Sequence, residues 1–292
     1  MIFRLVLAAA LTATLAMVPA AAEPPAKELF GRVEGPAPLA PKAIGGYARG
    51  CLAGAVALPV DGPFHQVMRL SRKRNWGHPE LIAYLEELAQ KAHEVAGWSG
   101  LLIGDLAQPR GGPMLTGHAS HQIGLDADIW LMPAPPRSYT AEEREKISAA
   151  SVIGAKQEVP EGNWKIDPTL WSGGHAAIVK AAASDARVAR IFVHPAIKNA
   201  LCRTDGKDRA WLRKIRPWYG HHYHFHVRLA CPPGSEGCTD QAPPPPGDGC
   251  GKELEWWFTE APYRKPDKPA KPKPPLRMAD LPAACKGVYG AK

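Results

Sequence analysis

The alternation of apolar and polar positions marks out a few regular stretches separated by Gly- and Pro-rich ones. Over residues 79–95, Leu81, Ile82, Leu85, Leu88 and Ala92 recur at helical spacing behind His78-Pro79, which suits a first helical turn, and one helix is expected there. Leu101-Leu102-Ile103 reads as a short buried strand running on to Asp105, and a loop rich in Gly and Pro follows over 109–117. The spacing predicts a second helix over 176–189 and a strand over 190–194 that feeds Pro195. Residues 133–171 are polar and poorly periodic, the mark of a surface insertion or long loop. Strands and helices alternate irregularly, so the class is α+β.

Two further stretches alternate with period two, the pattern of a half-buried strand. In the first, Ile123, Leu125, Ala127 and Ile129 are apolar, while Gln122, Asp126 and Asp128 fall between them, so both aspartates share a face. In the second, Tyr223, Phe225, Val227 and Leu229 are expected in the core, with His222, His224, His226 and Arg228 on the opposite face. Side by side in one sheet, these strands would bring His121 and Asp128 near His224 and His226. Such nitrogen and oxygen donors suit Zn²⁺, and three protein ligands leave one position open for catalysis.

A single histidine is more often a hydrogen-bonded structural residue than a ligand. Of the eleven histidines, however, His118, His121, His221, His222, His224 and His226 fall within residues 117–130 and 220–229, which scattered core residues would not do. A serine mechanism finds no footing: no serine has a lysine three residues on, and no G-x-S-x-G occurs. A non-catalytic module that binds a metal or a polymer is the rival reading.

The N-terminus has Arg4, an apolar run from Leu5 to Val18 and Ala20-Ala21-Ala22, the layout of a secretory signal peptide over 1–22. No other stretch is apolar enough to span a bilayer, so no transmembrane anchor is expected in the mature protein, and the periplasm is the expected compartment. Export makes disulfides legible. Among the six cysteines, Cys231 and Cys238 enclose a short Pro-Pro-Gly turn, and Cys285 is expected to tie the chain end back to the body through Cys51. The formal charge of +8 is in part carried by a Lys/Pro alternation over 264–273, read as extended. An exported basic protein meets anionic envelope polymers, so nucleic acid is not an expected partner. The domain reading is a Pro/Ala/Gly-rich segment of little structure over 23–50, a catalytic domain over 51–258 and a Pro/Lys-rich tail over 259–292. Arg72-Lys73-Arg74-Asn75-Trp76 could hold a peptide carboxylate or be a solvated basic turn.

The segments Gly117-His118-x-Ser120-His121, Leu125-Asp126-x-Asp128 and His224-x-His226-Val227-Arg228-Leu229 resemble those of penicillin-insensitive murein endopeptidases. The likeness extends to Gly77-His78-Pro79, Ile103-Gly104-Asp105, Phe192-x-x-Pro195-Ala196-Ile197-Lys198 and Gly247-Asp248-Gly249-Cys250-Gly251. It implies a small antiparallel sheet flanked by helices, as in lysostaphin-type and zinc D-Ala-D-Ala peptidases, stapled by disulfides, and it adds the pair Cys202–Cys250. It implies hydrolysis of D-alanyl-diaminopimelyl cross-links between peptidoglycan peptide stems, with a zinc D-Ala-D-Ala dipeptidase or carboxypeptidase as the neighbouring alternative. His121, Asp128 and His226 would bind the metal. His224 would be general base or oxyanion stabiliser, His118 and His221 would sit at the rim, and Asp126 would orient a histidine ring. Some relatives resemble two-zinc enzymes through an Asp-Gly-Lys-His stretch; residues 153–164 here have no histidine, so one Zn²⁺ per chain is expected.

Overall fold

The computed structural model describes residues 23–154, 164–204, 206–268 and 271–292. The leader read over 1–22, and most of the histidine-free stretch at 155–163, lie outside the described residues.

A seven-stranded sheet runs in the order Ile215–Pro217, Val188–Val193, His224–Leu229, Asp126–Pro133, Leu101–Ile103, His65–Val67, Asp61–Gly62. Its centre is antiparallel, as expected: His224–Leu229 pairs antiparallel with both neighbours, and Asp126–Pro133 with Leu101–Ile103. Parallel pairings further out, Ile215–Pro217 on Val188–Val193 and His65–Val67 on Leu101–Ile103, make the whole sheet mixed.

The helix Pro79–Ala96 begins where His78 Nδ1 accepts the Glu80 amide at 3.3 Å with Pro79 in the first turn, and it ends at Gly97, whose φ of +67° is the left-handed stop. It buries Leu81, Leu85 and Leu88 against one sheet face and packs beside the helix Gly173–Ser184. That face carries Ala127, Ile129, Phe225, Val227 and Leu229 in one core cluster. Each large side chain there contributes about 1.5–3 kcal/mol by leaving water. The period-two pattern therefore leaves Asp126, Asp128, His224, His226 and Arg228 together on the other face.

Several expectations are corrected at the edges. The second helix lies at Gly173–Ser184 and the following strand at Val188–Val193, both earlier than their spacing suggested. The histidine strand begins only at His224, so Tyr223 is 38% exposed and not core, and His222 turns away to hydrogen-bond Ser151 Oγ at 2.8 Å. Within the polar stretch 133–171, the helix Ala141–Lys146 docks through the buried Arg144 guanidinium, which donates to Tyr139, Val60 and Val67 carbonyls. Polar docking of this kind leaves no apolar period to read.

The segment ahead of Gly50, expected to carry little structure, folds: Ala26–Phe30 is helical, and Lys42–Gly46 pairs with Arg49–Ala53 in a hairpin. Its few apolar residues, Phe30 and Ile44 among them, find partners at the far end of the sequence, Leu281 and Val288. Local composition cannot reveal a core assembled across that separation. The bridge Cys51–Cys285 fastens the two ends, and Cys202–Cys250 and Cys231–Cys238 complete the three disulfides. Closing a loop of 234 residues removes about 5 kcal/mol of unfolded-chain entropy in the loop-closure picture. Among the described residues of the Lys/Pro-rich run there is no helix or strand. No helix among the described residues is long and apolar enough to cross a membrane.

Candidate metal centre

Strand register builds the site. His226 stands opposite Asp128 and Arg228 opposite Asp126 on the paired strands, so two carboxylates meet an imidazole and a guanidinium across one ladder. Asp126 is fully buried. Its Oδ1 accepts from His226 Nε2 at 2.9 Å and Arg228 Nε at 2.7 Å, and its Oδ2 accepts the His121 amide at 3.0 Å. Burial alone would raise this carboxyl, but the Arg228 charge and then the His226 contacts hold it far below the usual carboxylate range.

These bonds decide which nitrogens are left. With Nε2 committed to Asp126, His226 turns Nδ1 toward Asp128 Oδ1, 3.3 Å away. His121 Nε2 lies 3.6 Å and His224 Nε2 3.5 Å from the same oxygen. His121 is fully buried and sits at φ +66°, a left-handed conformation a residue with a Cβ adopts only when its surroundings enforce it. The Asp126 carboxylate on its amide supplies that enforcement.

His118 takes the other side of the aspartate. Its Nε2 is 3.3 Å from Asp128 Oδ2 and 3.2 Å from Asp105 Oδ2, which places it against the carboxylates and not merely at a rim. Burial lowers its proton affinity, but the Asp105 hydrogen bond and the Asp128 and Asp105 charges raise the net value. His221 Nδ1–H donates to the Tyr219 carbonyl at 2.5 Å, and its ring lies tilted against that of His224 at 4.9 Å. Burial, reinforced by neighbouring imidazoles, pushes His221 down to about 4 and His224 to about 2, so both are neutral at pH 7. Asp128 is pushed up to about 6, first by burial and then by Asp105 and Asp126, against the pull of His226 and His118.

The arrangement fits a divalent cation. His121 Nδ1, His121 Nε2 and Asp128 Oδ1 are buried with no hydrogen-bond partner among the described residues. An unpaired buried polar atom costs about 1–3 kcal/mol, and His121 Nε2 and Asp128 Oδ1, which lie close to each other, could both be satisfied by one cation. Zinc bonds of about 2.1 Å in a tetrahedron set neighbouring donors about 3.4 Å apart. The two imidazole nitrogens that join Asp128 Oδ1 in the ligand set, His226 Nδ1 at 3.3 Å and His121 Nε2 at 3.6 Å, match that edge. His118, His121 and Asp128 also form a group whose donor atoms all lie within 4.8 Å of one another.

Sequence reasoning assigned no role to Asp105, yet its carboxylate binds Arg74 at 2.7 Å and Arg72 at 3.1 Å as well as His118. The signal available was a carboxylate closing the apolar run from Leu101. It also settles the basic turn: Arg74, only 8% exposed, serves the protein's own aspartate. His222 lies outside the cluster, in a separate cavity beside Ser151, His194 and Tyr219. Trp218 and Tyr219 are 54% and 56% exposed, walls and not core.

Buried imidazoles and a carboxylate gathered around one point of a disulfide-stapled α+β sheet make this a metalloprotease-type centre. The sequence profile of penicillin-insensitive murein endopeptidases matches residues 43–290, and the chain belongs to that family. It is 49% identical over 234 residues to a penicillin-insensitive murein endopeptidase of Haemophilus influenzae, covering 79% of this chain and 77% of that protein. Proteins of the same description from Klebsiella pneumoniae and Yersinia enterocolitica are 43% identical over 279 residues and 42% over 280 residues. Those alignments cover 96% of this chain, and 96% and 95% of the respective relatives.

Proposed function

We propose that the protein is a zinc endopeptidase that hydrolyses D-alanyl-diaminopimelyl cross-links of peptidoglycan in the periplasm, after removal of residues 1–22. The observation that carries this reading is the convergence of His121 Nε2 and His226 Nδ1 on the partnerless Asp128 Oδ1. Those three residues would hold one Zn²⁺ per chain, and the ion when bound supplies Lewis acidity for attack of water on an amide. Residues 51–258 form the catalytic body in this reading, with 23–50 and 259–292 as the flanking segments.

Asp126 holds the His226 ring so that Nδ1 faces the centre, an orienting role of the kind carboxylates play behind metal-binding histidines. His224 is neutral and 6% exposed, which makes Nε2 a better hydrogen-bond donor to a developing oxyanion than a proton acceptor. His221, bonded to the Tyr219 carbonyl, buttresses the His224 ring, and His118 ties Asp128 to Asp105. The cleft is flanked by Arg69 and Arg72 on one side and by Arg190 on the other, positive charge that suits anionic peptide stems.

Mass spectrometry of muropeptides after incubation with zinc-loaded protein tests the proposal. Cross-linked dimers should fall to monomers, with equal turnover in penicillin. Release of terminal D-alanine from pentapeptide stems with dimers left intact would establish a carboxypeptidase, and no change in either would establish a binding module.

A further inference from the structure

The sheet face that carries the metal centre continues into a second set of side chains. Phe192 stands opposite His226, Arg216 beside Phe192, and Arg190 directly opposite Arg228. Two guanidinium groups facing each other on adjacent strands repel unless anions offset them. Arg228 is neutralised by Asp126 at 2.7 Å and donates to Gln241, and Arg216 pairs with Glu253. Among the described residues Arg190 has no ion pair. It is 8% exposed, one terminal nitrogen donates to the Ala242 carbonyl, and its Nε is buried with no hydrogen-bond partner. Burial first, then the Arg228 and Arg216 charges, make its protonated form costly. It lines a cavity of about 480 Å³ that opens onto His226 and His118 and is walled by Phe192, Trp218 and Trp257.

We propose that Arg190 and this cavity form a subsite for a carboxylate of the substrate peptide, lying next to the scissile amide. The inference rests on the murein-peptide reading above and deepens it. Same-face positions two strands apart lie about 10 Å from one another, so an arginine side chain there reaches a group within one residue of the bond being cut. A carboxylate in the cavity would meet the Arg190 guanidinium where that side chain lines it and supply the negative charge the cluster lacks, while Trp218 and Trp257 cover the aliphatic carbons of the peptide. Arg190 is a specificity-determining residue in this scheme and does not touch the reacting atoms.

Calorimetric titration of zinc-loaded protein with a diaminopimelyl peptide and with its carboxamide counterpart tests the subsite without turnover. Wild type should bind the free acid at least ten-fold more tightly, and Arg190→Gln should bind the two alike. In ¹⁵N-arginine-labelled wild type, the Arg190 Nε–H resonance should shift with the acid and stay with the amide, a readout that survives if the variant fails to fold. An unchanged ten-fold preference in the folded variant, no preference in wild type, or a still resonance would each overturn the subsite. Dimer cleavage by wild type is scored separately. Carboxylate preference without cleavage sinks the endopeptidase reading alone; cleavage with an Arg190-independent preference sinks the subsite alone.

Discussion

His226 Nε2 and Asp126 Oδ1 form a buried hydrogen bond of 2.9 Å, and this bond chooses which nitrogen of the ring is free. The strand places the imidazole, but a ring on a strand can present either nitrogen. Asp126, two residues from Asp128 and fully buried, removes that choice, while Arg228 keeps the aspartate ionised.

Asp126→Asn should therefore weaken zinc binding by about 10–100-fold, the range for loss of a carboxylate behind a metal-binding histidine. The amide can still accept from Arg228 or His226, but not with the charge that holds both. Chelator competition against the purified variant measures it, and zinc affinity within two-fold of wild type would remove Asp126 from the site.

His224 and His226 should separate by metal content. His226→Ala is expected to lose zinc, since Nδ1 at 3.3 Å from Asp128 Oδ1 disappears. His224→Ala should keep zinc and lose about 10²–10³-fold in kcat, the scale for one oxyanion donor. Elemental analysis beside dimer cleavage gives both numbers; full activity in His224→Ala, or full zinc in His226→Ala, would reverse the assignment of roles.

The legibility of this site in the sequence follows from what alternation encodes. Period two places Asp126, Asp128, His224, His226 and Arg228 on one face because each strand buries its other face in the core. The same rule failed at His222 and Tyr223, since alternation carries no information once the chain leaves the ladder before His224. His121 and His118 lie in the loop ahead of Asp126, so the expected strand pairing brought His121 to the right place without describing the backbone that holds it, and only the motif placed His118 there. Asp105 and Arg74 escaped because their pairing joins residues 31 positions apart with no periodic trace.

The Asp105–Arg74 pair makes stability depend on acidity. Burial would raise the Asp105 carboxyl, but hydrogen bonds from His118 and Arg74 and the Arg charges hold it well below its ordinary 3.8. A carboxyl depressed on folding stabilises fully above the unfolded value and loses that contribution as pH falls toward the folded value. Urea unfolding at pH 7, 4 and 3 should show stability falling below about pH 4. Asp105→Asn should be about 3 kcal/mol less stable at pH 7, because Arg74 is left buried without a counter-charge, and its decline in acid should be shallower. Equal acid slopes would show that the pair does not contribute.

Gly124 tests whether the turn between His121 and Asp126 is what aims the site. Its φ of +69° disfavours any side chain, and a Cβ there would lie 2.4 Å from Leu52 Cδ2 and 2.9 Å from the His78 amide nitrogen. The left-handed conformation alone costs a non-glycine residue about 1–2 kcal/mol, and the contact with backbone at His78 cannot be relieved by a rotamer change. Gly124→Ala should consequently lower both stability, by about 3 kcal/mol with overpacking included, and zinc affinity, as the turn shifts His121 away from Asp128. Adding Leu52→Ala clears the side-chain contact but leaves the His78 contact and the φ, so the pair should recover only part of the zinc affinity. Thermal melts and chelator competition on the single and double variants separate the two contributions. Wild-type zinc affinity in the single variant would mean that the turn has slack and that the strand register alone sets the donors.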